Sequence, residues 1–100
     1  MSFTSWQVYI ESNVKKVDDV IGVYELSNSK TDMSAITYIG RGKLRTELLR
    51  YLKEPCTGPS TYFRYEVLNS DERAQQRERA LLKEFEDKYK RLPKCNQRIG

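Results

Sequence analysis

One hundred residues, 38% hydrophobic and 32% charged, suffice for a single small core and exclude both a disordered chain and a protein of two full-sized domains. No run approaches the roughly eighteen apolar residues of a membrane span, and Met1 to Trp6 lack the charged-then-apolar layout of a signal peptide, so a cytoplasmic protein with no membrane partner is expected. The formal charge of +4 splits into −2 over residues 1–40 (three basic, five acidic) and +6 over residues 41–100 (fifteen basic, nine acidic), which places a field suited to phosphate in the second part.

Residues 1–20 read as an N-terminal extension packed on the core. Trp6 to Ile10 alternates like a short strand, and Val14, Val17 and Val20 recur at three-residue spacing, which fits a turn or two of helix. The main body is expected over residues 21–100. Residues 21–26 and 35–40 are rich in β-formers and flank a polar turn at residues 28–32, which predicts a β-hairpin. Leu44, Leu48, Tyr51 and Leu52 then set a helical period, broken by Pro55, Gly58 and Pro59. Phe63, Tyr65 and Val67 alternate with Tyr62, Arg64 and Glu66, so a third strand is expected there. Ser70 or Asp71 can cap a long helix over residues 71–90, which Leu92-Pro93 prevents from continuing. The fold class is therefore α+β, a small three-stranded antiparallel sheet flanked by helices in the order strand, strand, helix, strand, helix. Cys56 and Cys95, in a chain without histidine, are too few for a zinc site and read as two free thiols in a reducing compartment.

One residue in the last helix is out of place. Ala74, Leu81, Leu82, Phe85 and Tyr89 form a narrow apolar stripe at 100° per residue, and Glu78 falls in the middle of it. Burying an isolated carboxylate costs several kcal/mol. Such a group pairs with a cation, shifts its pKa, or sits at the mouth of a site as a ligand or acid/base.

The hairpin holds Gly22-Val23-Tyr24 and Tyr38-Ile39-Gly40, followed by Arg41, and Arg77-Glu78 lies in the second helix ahead of Leu92-Pro93-Lys94-Cys95-Asn96. This layout resembles the GIY-YIG nuclease domain of homing endonucleases, restriction enzymes and a nucleotide-excision-repair nuclease. The resemblance implies a divalent-metal-dependent DNA endonuclease, a hydrolase that cleaves phosphodiesters by in-line attack of water. It implies Mg²⁺ or Mn²⁺ as cofactor, held by Glu78, since a hard cation prefers carboxylate oxygen. Tyr24 and Tyr38 would surround the attacking water, with Arg41 lowering a tyrosine pKa. Tyr51 and Asn96 complete the implied catalytic set, against the alternatives of a core residue and a turn former. Gly40 would let phosphate approach the backbone, and Lys43, Arg45 and Arg50 would bind substrate. The expected partner is DNA, with RNA as the alternative; a chain of this size has no room to encode sequence readout, so it would recognise a DNA structure, take its specificity from a partner protein, or act with low specificity.

Glu47 departs from that pattern, because it stands where the family has an arginine aimed at phosphate. The implied alternatives are displacement of the role to Arg41, Arg45 or Arg50, a nucleic-acid-binding module with weakened or lost turnover, or a change confined to this single position.

Overall fold

The computed structural model describes residues 2–97. A two-residue strand β1 (Gln7–Val8) and one turn of helix α1 (Glu11–Val14) precede the central strand β2 (Ile21–Ser27). Next come the edge strand β3 (Ile36–Lys43), helix α2 (Leu44–Leu52), strand β4 (Tyr62–Val67), helix α3 (Asp71–Tyr89) and a 3₁₀ turn (Lys94–Asn96). All pairings are antiparallel, in the order β1-β4-β2-β3, with Tyr24 facing Gly40 on one side and Tyr65 on the other.

The α+β class is as expected, but the sheet has four strands rather than three. The fourth strand is β1, which lies inside the alternating run from Trp6 to Ile10 and pairs with β4, so the N-terminal segment joins the sheet. β1 is held in place by Tyr9, the residue after it, whose ring packs 5.7 Å from that of Phe63 and whose hydroxyl donates to the Leu48 carbonyl at 2.7 Å.

Because side chains alternate along a strand, β2 feeds two cores. Tyr24 and Leu26 join Tyr9, Val14, Val17, Leu44, Leu48 and Phe63 under α1 and α2. Val23 joins Ile36, Ile39, Ala74, Leu81 and Phe85 under α3. Ion pairs with buried carboxylates stiffen the α3 face, where Glu25 on β2 meets the partly exposed Arg64 at 2.7 Å and Glu66 on β4 meets the more exposed Arg77 at 3.0 Å. The Arg64 guanidinium lies 4.4 Å from both the Phe3 and the Trp6 rings, so the N-terminal segment covers the pair.

The helix ends are set by specific groups. The Ser70 side chain accepts the Arg73 N–H at the start of α3, and Lys90 closes its end in the left-handed region at φ 61°. Helix α2 borrows its cap from elsewhere in the chain: Asp19 accepts both the N–H (2.9 Å) and the hydroxyl (2.8 Å) of Thr46. Those bonds hold the Asp19 carboxyl below its usual range, the Thr46 N–H contributing most. No helix among the described residues is long and apolar enough to cross a membrane.

Candidate functional site at the open edge of the sheet

β2, β3 and α2 bring three tyrosines together on one face of the sheet. The Tyr38 and Tyr51 ring centroids lie 4.8 Å apart, and Tyr24 lies 6.0 Å from Tyr38 and 6.3 Å from Tyr51. Two glycines make this possible. A Cβ on Gly40 would stand 2.5 Å from the Tyr24 hydroxyl, so the bare backbone of β3 is what the Tyr24 ring crosses. The space at Gly40, expected to admit phosphate, is filled by tyrosine. Gly42, at φ 138°, adopts a conformation few other residues tolerate, and a Cβ there would press on the Glu47 side chain at 2.9 Å.

Glu47 enters the cluster through that gap. Its Oε1 accepts the Tyr24 hydroxyl at 3.3 Å, and its Oε2 lies 3.9 Å from Arg50 Nη1. The Tyr38 hydroxyl donates to that of Tyr51 at 3.2 Å, which leaves the Tyr51 proton free to be given outward. Arg50 covers the Tyr51 ring at 5.1 Å.

The Arg41–Glu78 pair occupies the other face of the same edge strand. Residues 39 and 41 of β3 point towards α3, and the Arg41 Nε–H donates to Glu78 Oε1 at 2.9 Å. Glu78 is not sealed in the apolar stripe. Its side chain is 23% exposed and that of Arg41 41%, whereas Ala74, Leu81 and Phe85 on the same helix are buried. The helix thus leans its apolar stripe on the sheet and lets Glu78 reach past the edge to a partly hydrated cation.

The electrostatics run against one sequence expectation. Tyr24 is pushed well above its ordinary pKa, first by burial and then by Tyr38, Glu47 and Tyr51. Tyr38 is pushed up likewise by burial, by its bond to Tyr51, and by the charges of Glu78 and Glu47. Arg41 gives its Nε–H to Glu78, and the net shift of both phenols is upward, opposite to the lowering expected from Arg41. Both carboxylates, from opposite faces, bear on Tyr38.

Asn96 also falls beside the cluster, but through the backbone. Its side chain accepts the Ile39 N–H at 2.9 Å and donates to the Ile39 carbonyl at 3.0 Å, completing the open edge of β3 next to Tyr38. Lys43 and Arg45 are exposed, and their charges act on Asp19 rather than on the tyrosines. Of the expected substrate-binding residues, Gly40 lies in the cluster under the Tyr24 ring, and of the three cations Arg50 alone stands beside it.

The thiols are not free. Cys56 and Cys95 form a disulfide with Cα atoms 5.8 Å apart, a pairing that a separation of 39 residues hides in the sequence. It walls a cleft of about 380 Å³ beside Tyr38 and Tyr51, also lined by Pro55 and Lys94. A wider hollow of about 630 Å³ on the outer side of α3, around Lys83 and Asp87, has no convergent groups.

Among the described residues no three His, Cys, Asp or Glu side chains gather closely enough to hold a metal ion. The residues present therefore fit only a cation bound by the Glu78 carboxylate with water and substrate oxygens, a mode usual for Mg²⁺ and Mn²⁺, and do not fit a protein-caged ion.

An α+β domain with a carboxylate and tyrosine cluster at its sheet edge is the class these features define. The chain belongs to the family described as a domain of unknown function (DUF7508), whose model matches residues 2–88. No curated protein and no solved structure gives a match. Membership of the GIY-YIG nucleases is thereby corrected, since the family that matches is a different one. The short triplets that carried the resemblance have a packing explanation: Gly22 leaves room for the Glu66 carbonyl, Gly40 for the Tyr24 ring, and the tyrosines stack on each other. Glu47 is then no departure from a pattern; it is a built part of this site.

Proposed function

We propose that the domain hydrolyses phosphodiester bonds of nucleic acid at the edge of β3, with Mg²⁺ or Mn²⁺ held by Glu78. The observation that carries this reading is the placement of Glu78. A carboxylate in a leucine's position on α3 is turned out to a partly exposed arginine at the same strand edge as three hydroxyls and a second carboxylate. A merely structural helix would gain stability from an apolar side chain there.

Each group has a task it is suited to. A bound divalent ion would supply positive charge that polarises the phosphoryl oxygens. The exposed Arg41 guanidinium anchors Glu78 with one N–H and keeps further donors for phosphate. With their pKa values raised, Tyr24 and Tyr38 keep their protons and serve as donors that fix other groups. Tyr24 fixes Glu47, leaving that carboxylate to take the proton of the attacking water. Tyr51, whose oxygen accepts from Tyr38, directs its own proton to the phosphate or the leaving oxygen. The net charge of +6 over residues 41–100 favours approach of a polyanion. A partner protein would supply target choice.

A second reading, a nucleic-acid-binding module without turnover, is favoured by the same raised tyrosine pKa values and by the occupation of Arg41 by Glu78. Supercoiled plasmid incubated with the protein and Mg²⁺ or Mn²⁺ separates the two. Nicking that disappears with chelator and in Glu78→Gln supports hydrolysis, and a gel shift without nicking supports binding alone. No complex at low salt with duplex or single strand overturns both.

A further inference from the structure

The disulfide joins the two segments that frame the tyrosine cluster. Cys56 lies in the loop after α2, whose next residue, Thr57, donates its hydroxyl to the Tyr51 carbonyl at 2.7 Å. Cys95 lies in the 3₁₀ turn, and the next residue is Asn96, which holds both the N–H and the carbonyl of Ile39 between Tyr38 and Gly40. Among the described residues β3 is an edge strand with no strand beside these outward-facing groups, and the Asn96 side chain takes the place of one. Cys56 is an exposed residue while Cys95 is buried, so an attacking thiolate has its approach from the Cys56 side.

We propose that Cys56–Cys95 is a thiol-exchange site whose reduction releases Asn96 from β3 and loosens the Tyr38–Tyr51 side of the cleft. The chemistry is that of a dithiol reductant. One of its thiolates attacks Cys56 Sγ, the Cys56–Cys95 bond breaks, and Cys95 leaves with the electron pair and takes a proton from water. The second thiol of the reductant then attacks its own sulfur in the mixed disulfide, freeing Cys56 as a thiolate that is protonated in turn. The protein gains two electrons and two protons, and the dithiol becomes a disulfide. Reduced, the 3₁₀ turn keeps its buried Pro93 and the Arg91 bond to the Ser34 carbonyl but loses the covalent tie one residue from Asn96. The edge of β3 then opens locally without unfolding the sheet.

The test uses the full chain, oxidised and after treatment with dithiothreitol, with thiol alkylation and mass spectrometry to count reduced cysteines under native conditions. Amide exchange at Ile39 is expected to rise about tenfold or more on reduction, while amides of the central strand β2 stay protected. Affinity for a labelled oligonucleotide is expected to fall about tenfold. Oxidised Asn96→Ala should reproduce both changes, and reducing that variant should add nothing. The same holds for Cys56→Ser, with Asn96→Ala serving if the serine variant does not fold. The proposal is overturned if the bridge does not form under oxidising conditions, if dithiothreitol reduces it only after denaturation, or if Ile39 exchange is unchanged by reduction. The oligonucleotide arm rests on the proposed function. If neither redox state binds nucleic acid, that function fails, while Ile39 exchange and alkylation still decide the thiol-exchange site.

Discussion

The Tyr24–Glu47 bond is the contact that turns Glu47 from a surface acid into a part of the cluster, and a double-mutant cycle measures it. The Tyr24 ring is fully buried, and its hydroxyl donates to Glu47 Oε1 at 3.3 Å. A hydrogen bond to a charged acceptor contributes about 1.5–3 kcal/mol. This one is longer than the ~2.7–2.8 Å typical of a hydroxyl donor, so a coupling below that range, about 1 kcal/mol, is expected. Glu47→Ala strands the hydroxyl in the core and should cost about 1–3 kcal/mol. Tyr24→Phe leaves a partly hydrated carboxylate and should cost less. The double variant should be about 1 kcal/mol more stable than the sum of the two losses implies. Urea unfolding of the four proteins gives the cycle, and thermal melts check it, since 1 kcal/mol moves Tm by about 4–8 °C in a domain of this size. Additivity to within about 0.3 kcal/mol would mean that hydroxyl and carboxylate do not interact. Glu47 would then have no place in the site.

Other consequences are open to equally simple measurements. Asp19→Ala removes the borrowed cap of α2 and should cost about 1 kcal/mol at neutral pH. Because the Asp19 pKa is lowered on folding, that contribution is present above the unfolded value near 4 and lost as pH falls through the folded one, so variant and wild type should converge in acid. Arg64→Ala strips the partner from Glu25, which is 2% exposed, and should destabilise by about 3–5 kcal/mol in urea unfolding. A loss under 1 kcal/mol would show that Glu25 finds water or another cation. At alkaline pH the sign reverses from that of Asp19. Tyr24 has a raised folded pKa, so its contribution is intact below the unfolded value near 10. Above it, each phenol with a raised folded pKa, Tyr24 together with Tyr9 and Tyr38, lowers stability by up to about 1.4 kcal/mol per pH unit as the unfolded chain ionises first. Tyr24→Phe should reduce that slope by about a third and leave the part due to Tyr9 and Tyr38, read from urea midpoints between pH 9 and pH 11.

Much of the framework could be read from periodicity, because it arises from local chemistry. The β-rich runs on either side of residues 28–32, the period of Leu44, Leu48 and Leu52, and the stripe from Ala74 to Phe85 became β2, β3, α2 and α3. What escaped depends on contacts distant in the chain. The alternation of Trp6 to Ile10 marks β1 as a strand, but its place beside β4 depends on Tyr9 meeting Phe63 and Leu48. Glu25 and Glu66 sit in strand alternations that say nothing of the arginines waiting for them on β4 and α3. The disulfide needs two loops 39 residues apart to converge. At the site, Glu78 was conspicuous because it breaks a pattern, and Tyr24, Tyr38 and Tyr51 do meet. Gly42 gave a weaker signal, one glycine before a helix, although its positive φ is what lets Glu47 in. The resemblance to a nuclease family rested on tyrosines and glycines that the packing of this sheet requires in any case.

The most direct test of the site is the rate of cleavage of an end-labelled duplex under single-turnover conditions with Mg²⁺ in excess, for wild type and Glu78→Gln matched for Tm. Glu78→Gln keeps the shape of the side chain and removes its charge, so it should fold as wild type and cleave about a hundredfold to a thousandfold more slowly. Equal rates, or no cleavage by either protein at any divalent ion tried, would contradict the assignment of Glu78 and the reading of the sheet edge as a hydrolytic centre.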